Sequence, residues 1–297
     1  MSDGESNATE VLDSVTNSTR VDILRALADA HSDSPTDPWL AYSDLQETVG
    51  IRDNGNFNYH LDQLGRLVVK GSPGYRLSRI GMSVVSAIAS GIFDTERTWG
   101  PVDAHGHCSR CDDPLQLRYE DGILWLTCGT DEHSVPLSIP PSLLESHPEG
   151  NEEELVERIA FLENRWGSLT RRGICSECQG YVEGRVETIP EEPERYHYHG
   201  HCRRCGFHHG IPVGMFLASH PAVTSFYYDR GVDVLTAPFW TLEFCAPGRE
   251  TVLSTDPLRL GVDVNLEDET LSLTLDRNGT VVSTAIAGSA AEKPRNC

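Results

Sequence analysis

Two cysteine pairs carry the clearest chemistry in the chain. Cys175 and Cys178 are two residues apart, as are Cys202 and Cys205, and 23 residues separate the pairs. Each Cys-x2-Cys puts two thiolates on one side of a tight turn, and two such turns close a tetrahedral site. Thiolate softness and that geometry favour Zn²⁺. Gly206, directly after Cys205, suits a tight turn. An upstream set repeats the pattern less completely. Cys108-x2-Cys111 is followed by Cys128, and no fourth cysteine arrives. Asp131 stands where it is expected and His133 lies two residues on. Histidine is the commoner zinc ligand, so Cys108, Cys111, Cys128 and His133 form the preferred set. Asp131 as fourth ligand, or a ribbon that keeps its fold without metal, are the alternatives. His105 and His107 are weaker candidates. One zinc is expected at the second set and a second zinc is possible at the first.

The elements that must position these ligands look duplicated. Val135 to Pro148 ends in Ser-His-Pro, and so does Ile211 to Pro221. Each run precedes a helical stretch. Glu152 to Trp166 carries Leu155, Ile159 and Leu162 on one face and acids on the other, while Ala222 to Arg230 is more apolar. The repeating unit is ribbon, short helix, Ser-His-Pro, helix. Glu183 to Glu194 reads as a solvated acidic hairpin tip. The histidines of Tyr196 to His201, with His208 and His209, read as strand positions, with metal or pH sensing as the alternative. Farther on, Leu258, Leu260, Val262, Val264 and Leu266 alternate, as do Leu271, Leu273 and Leu275, with Asn278-Gly279 as a turn signal. This predicts an antiparallel meander that binds a ligand or buries the apolar backs of the ribbons. Cys245 and Cys297 lack a knuckle partner.

Residues 17–88 read differently. The chain carries a net charge of −21, yet Arg52, Arg66, Lys70, Arg76 and Arg79 face only Asp53 and Asp62 within 52–79. A basic patch on so acidic a chain suits an anionic partner. Asn17, Ser18 and Thr19 are cap candidates for a helix with Val21, Ile23, Leu24 and Leu27. Ser43 to Gln46 reads as a capping box opening a helix that stops near Gly50. Residues 52–56 read as a turn before a helix from Asn56 to Leu67, with Phe57, Leu61 and Leu64 inward. Val68–Lys70 and Tyr75–Leu77 flank a four-residue hairpin loop. Ser78 caps a last helix with Ile80, Val84, Val85 and Ile88. Helix, helix, turn, helix and hairpin predict a winged helix–turn–helix, and with the charge, DNA binding.

Asn17 to Leu27 resembles the opening helix of ArsR-type regulators, and Phe57 to Leu64 resembles their recognition helix. As a whole the chain is similar to haloarchaeal ArsR-like winged-helix proteins with C-terminal zinc ribbons. The resemblance implies that Asn56, Asn58, Tyr59 and Gln63, with Asn54 before them, face the major groove of double-stranded DNA. There Asn and Gln suit adenine. It implies that Arg52, Lys70 and Arg76 reach phosphates or the hairpin's groove, and that His60 is packed. Tyr59 stands where the family often has a basic residue. A homodimer is implied, with the ribbons free to take a protein partner.

The expected fold class is α+β: a winged helix–turn–helix, two zinc-ribbon-like modules with helices, and a β meander. Segments are expected at 1–9 (tail), 10–98 (winged helix), 99–172 (first module), 173–245 (second ribbon), 246–287 (meander) and 288–297 (tail). Two lysines against 45 acids suggest the cytoplasm of a salt-loving organism. There paired cysteines are metal ligands more often than disulfides. The N-terminus does not read as a signal peptide, and no apolar run approaches the ~20 residues that span a bilayer. No phosphate-cradling Gly loop, nucleophile elbow or His-Glu-x-x-His pair points to an enzyme. The expected function is a DNA-binding transcriptional regulator. The alternatives are an adaptor in the transcription complex, similar to the archaeal general factor that joins a winged helix to a zinc ribbon, and a metal- or redox-responsive repressor. Residues 1–100 contain no cysteine, so the ArsR sensing pair is absent there.

Overall fold

A computed structural model describes residues 2–129, 133–148, 150–189 and 192–288. It is mixed α+β, with helices toward the N-terminus and antiparallel sheets toward the C-terminus. Contacts divide the chain into two units, Met1–Asp94 and Thr95–Cys297.

In the first unit, α1 (Ser2–Ser14) covers the residues expected to be a tail. Ser14 Oγ ties it down by donating to the backbone oxygen of Gln63 at 3.0 Å. Helix α2 (Ser18–Asp33) is capped by Asn17, whose side chain accepts from Arg20 N. It buries Ile23, Leu24 and Leu27 completely, while Val21 is only half-buried. The expected capping box at Ser43 does not form. Helix α3 (Tyr42–Val49) starts one residue earlier, and Ser43 Oγ donates to Asp44 instead. The Tyr42 ring sits 5.1 Å from Phe57, which draws residue 42 into the helix. Gly50 ends α3 at φ +75°.

Helix α4 (Asn54–Gln63) begins two residues before the expected Asn56, because Asp53 caps it with its Oδ1 2.6 Å from Asn56 N. It stops at Leu64 and tightens into a 3₁₀ turn, Gly65–Leu67. Strands β1 (Val68–Gly71) and β2 (Gly74–Leu77) pair with Val68 opposite Leu77, so the hairpin turn is two residues rather than four. Leu40 adds a rung, exchanging two 2.9 Å backbone bonds with Tyr75. Gly74 permits this approach: a Cβ there would lie 2.1 Å from the Leu40 oxygen. Helix α5 (Arg79–Ala89) is capped by Ser78 and buries Val85, whereas Ile80 is exposed. Phe57, Leu61 and Leu64 join Leu24, Leu27 and Leu45 in one core, as their spacing predicts.

The second unit opens with β3 (Trp99–His107), β4 (Pro114–Glu120), β5 (Ile123–Cys128) and β6 (Ser134–Leu137), paired in that order. Then come α6 (Pro141–Glu145) and α7 (Glu152–Arg171). A second sheet follows, β7 (Val182–Ile189), β8 (Glu192–Cys202) and β9 (His208–Pro212), again antiparallel in chain order. After it come α8 (Val213–Ala218) and α9 (Pro221–Tyr228). The repeated order of strands, short helix, Ser-His-Pro and helix is therefore present in both halves. A meander of β10 (Thr251–Thr255), β11 (Leu258–Leu266), β12 (Glu269–Asp276) and β13 (Val281–Gly288) completes the unit.

The segments expected at 99–172, 173–245 and 246–287 share one core. Leu117, Ile159, Val186, Phe216, Val262 and Leu273 belong to it together. The alternating leucines and valines of β11 and β12 thus share their core with the two cysteine-bearing sheets. Val186 N donating to Arg277 O at 2.7 Å joins the second sheet to the meander. The tip of the acidic hairpin at 190–191, Asp131, and the tail from 289 with Cys297 lie outside the described residues.

Candidate metal centres and nucleic-acid interface

Three turns in the second unit share one backbone pattern. Cys175 N donates to Gly180 O, and Gln179 N returns to Cys175 O, at 2.9 and 3.0 Å. Cys202 and Gly206 do the same with Phe207, at 2.8 and 2.9 Å, and Cys108 and Asp112 with Asp113, at 2.8 and 2.9 Å. The residue after each second cysteine has positive φ: Gln179 at 58°, Gly206 at 80° and Asp112 at 62°. A left-handed residue there turns the chain so that both sulfurs point to one side. The fourth turn departs from the pattern, with Cys128 N bonded to His133 O at 3.2 Å.

Sheet pairing then brings each pair of turns together. Val182 opposite Cys202 fixes the second cluster, and Leu115 opposite Cys128 fixes the first. Cys175, Cys178, Cys202 and Cys205 form one group that could hold a metal ion; Cys108, Cys111, Cys128 and His133 form the other. In each, all ligand atoms lie within 4.8 Å of one another. Closest approaches are 3.7 Å for Cys175–Cys205 and 3.4 Å for Cys178–Cys202. His133 Nδ1 lies 3.5 Å from Cys108 Sγ and 3.7 Å from Cys128 Sγ. Backbone N–H groups stabilise negative sulfur at Cys202: that of Cys205 first, against the cost of burial, then that of Arg204, together holding its thiol down at about 6. His105 and His107 are not members of either group among the described residues. Cys245 is a buried free thiol that burial pushes up.

Beside the first cluster lies a cavity of about 400 Å³, bordered by Cys108, His133, Glu163, His197, Trp240 and Cys245 among others. Glu163 is 6% exposed and its Oε1 has no hydrogen-bond partner. Burial raises its carboxyl to about 8, against one backbone bond from Ser138. The sequence reading missed this residue by assigning the acids of α7 to solvent. The signal was present, since Glu163 follows Leu155 and Ile159 at eight and four residues and so shares their face.

In the first unit, α4 turns Phe57, His60, Leu61 and Leu64 inward. Helical spacing of 100° per residue then centres its outer face on Gly55, Asn58, Tyr59 and Asp62. Asn54, Asn56, Asn58, Tyr59 and Gln63 are all exposed. Asn54 Oδ1 accepts from Gln46 Nε2 at 2.8 Å, which anchors it to α3. Gln63 and Asp62 together border a surface hollow with Glu10, Asp13 and Arg20. Asp62, on the middle of the outer face, was not in the expected set. On the hairpin, Arg76 lies over the Trp39 ring at 4.9 Å and Lys70 over Tyr75 at 5.7 Å. Arg52 is exposed.

The second unit defines the class first: an α+β domain of duplicated antiparallel modules, each with a cysteine-rich ligand group. Residues 105–281 match the family described as a domain of unknown function, DUF7351, and the chain belongs to that family. Residues 8–88 match a second domain of unknown function, DUF7347. The two matches fall one in each unit. No curated protein and no solved structure matches the chain. Among the described residues no helix is long and apolar enough to cross a membrane.

Proposed function

We propose that this chain is a DNA-binding transcriptional regulator. In this reading its first unit is an ArsR-like winged helix–turn–helix and its second unit is a regulatory region built on two structural zinc sites. The observation that carries the reading is the succession in the first unit. Helices α2, α3 and α4 precede a hairpin, α4 buries one apolar face, and it leaves Asn58 and Tyr59 outward. Arg52, Lys70 and Arg76 supply cations on the flanking turn and hairpin. The protein acts as a homodimer in the cytoplasm of a salt-loving organism.

Zinc fits both clusters. Tetrahedral bonds of about 2.3 Å to sulfur and 2.0 Å to nitrogen put ligand atoms about 3.5–3.8 Å apart, close to the spacings above. Four protein ligands close each site, which suits a structural ion and argues against an enzyme.

Asn58 and the anchored Asn54 suit adenine edges. At molar salt the Debye length is only ~3 Å, so base contacts carry more of the binding than charge does. Asn58→Ala is expected to cost roughly 1–3 kcal/mol of discrimination against a wrong base. Arg76→Ala is expected to weaken all sequences alike. Selection from a genomic fragment pool in high potassium chloride measures both. Binding with unchanged sequence preference in Asn58→Ala overturns the assignment of α4.

Asp62 favours a second reading. A carboxylate in the middle of the outer face repels phosphate and suits a protein partner, as in an adaptor that contacts the transcription machinery. Chromosomal footprinting separates the two: discrete upstream sites mean regulator, and occupancy that follows polymerase means adaptor.

A further inference from the structure

The cavity beside the first cluster is bordered by its ligands Cys108 and His133, and the rest of its wall has features that neither zinc binding nor DNA binding uses. Its volume of about 400 Å³ falls in the range of small-molecule sites. Much of its wall is apolar, with Leu126, Ile211, Met215, Phe239 and Trp240 contributing. Trp240 is held in place by donating to Ala104 O at 2.9 Å. One carboxyl stands in this wall, that of Glu163, buried and with Oε1 unpartnered. A buried carboxyl oxygen without a hydrogen-bond partner costs free energy that a ligand can recover. Arg110, His107, His133 and His197 also line the cavity, so the preference for a cation rests on Glu163, the one carboxyl among the lining residues.

We infer that this cavity binds a small organic amine with an aromatic or aliphatic body, its nitrogen donating to Glu163 and its body lying among Ile211, Met215 and Trp240. The cost of ionising the buried carboxyl is what a cationic nitrogen offsets. An apolar body displaces water from the aromatic wall. The lining residues all belong to the second unit, so the inference stands whether or not the first unit binds DNA.

Tryptamine, tryptophol and indole-3-acetate test it by calorimetry on the full zinc-replete chain. They share an indole body and differ in carrying an ammonium, a hydroxyl or a carboxylate. Tryptamine is expected to saturate one site per chain, with tryptophol at least tenfold weaker and indole-3-acetate unbound. Glu163→Gln is expected to weaken tryptamine at least tenfold and to change tryptophol less than twofold. Ile211→Trp adds bulk to the cavity wall, leaves the residue at position 163 unchanged and is expected to abolish binding of both. No saturable tryptamine binding up to about 10 mM, a free energy weaker than about 3 kcal/mol, overturns the inference and leaves the cavity to water. Equal binding of tryptamine and tryptophol overturns the role of Glu163. Unchanged binding in Ile211→Trp overturns the location, and it does so even if Glu163→Gln fails to fold.

Discussion

The two ligand clusters use the same turn, yet they sit in different surroundings. Cys108 and Cys128 belong to the core that runs through the whole second unit, alongside Leu115, Leu126 and Ile159. Cys175 and Cys202 share a separate small core with Val182 alone. The first cluster also borders the Glu163 cavity, and the second does not. The two halves thus share an element order and a ligand chemistry but differ in how the ligands couple to the rest of the fold. An ion held at the first site would brace the common core, and one held at the second would brace the end of one sheet.

The largest expected effect follows from that contrast. Zinc binding in small modules contributes on the order of 10 kcal/mol to folding. Cys128→Ser should loosen β3 to β6, α7 and the meander together. Cys202→Ser should loosen only the turns at 175–180 and 202–207, because Val186 and Tyr198 still anchor the second sheet in the common core. Hydrogen exchange with mass spectrometry reads this segment by segment, and residues 1–94 should stay protected in both variants. Metal analysis should give two zinc ions per wild-type chain and one in each variant. Equal exposure of the meander in both variants would erase the distinction between the clusters.

This contrast was only partly legible in the sequence. Cysteine spacing announces the turns because two thiolates on one tight turn require it. His133 was reachable by counting from Cys128. Burial was not reachable in the same way, since it depends on which strands stack on which helices. Strand β3 lacks alternation, with Gly100, Pro101 and Gly106 interrupting its pattern, and the sequence reading did not find it. The meander was readable as strands, but the choice between binding a ligand and burying the apolar side of the cysteine-bearing sheets needed the long-range packing of one shared core. In the first unit the inward residues of α4 followed from spacing. The Ser43 capping box failed because tertiary contacts of Tyr42 outweighed a local signal worth about 1 kcal/mol.

A middle-sized effect concerns Glu163, which belongs to the first cluster's surroundings alone. Its folded carboxyl is raised to about 8 against an ordinary value of 4.5. Below about pH 4.5 both folded and unfolded chains hold the proton, and the group adds no pH dependence. Above that the unfolded chain loses its proton while the fold keeps it, so stability falls until about pH 8 and then levels. Glu163→Gln removes this dependence and keeps an acceptor for Ser138. The variant should match the wild type near pH 5 and exceed it by a few kcal/mol near pH 8. His107, Arg110, His133, His197 and Cys245 line the same cavity and are common to both proteins. A difference in denaturation midpoint at fixed zinc therefore isolates the carboxyl. A gap that stays flat from pH 5 to 8 would mean that Glu163 is already ionised in the fold.

The smallest effect compares turns within the second cluster. Gln179 and Gly206 occupy equivalent positions after their cysteines, both left-handed. An ordinary side chain in that conformation costs about 1–2 kcal/mol. A Cβ at Gly206 would meet nothing within 4 Å, so Gly206→Ala carries the backbone cost with no clash added. It should destabilise by about 1 kcal/mol. Gln179→Gly relieves the same strain but frees the unfolded chain, which offsets part of the gain. It should stabilise by less than about 1 kcal/mol. Because this cluster stands on its own small core, both changes should appear as altered zinc affinity and local exchange, with the main unfolding transition of the unit unmoved. A shift of that main transition by either substitution would show that the second cluster is coupled to the common core as firmly as the first.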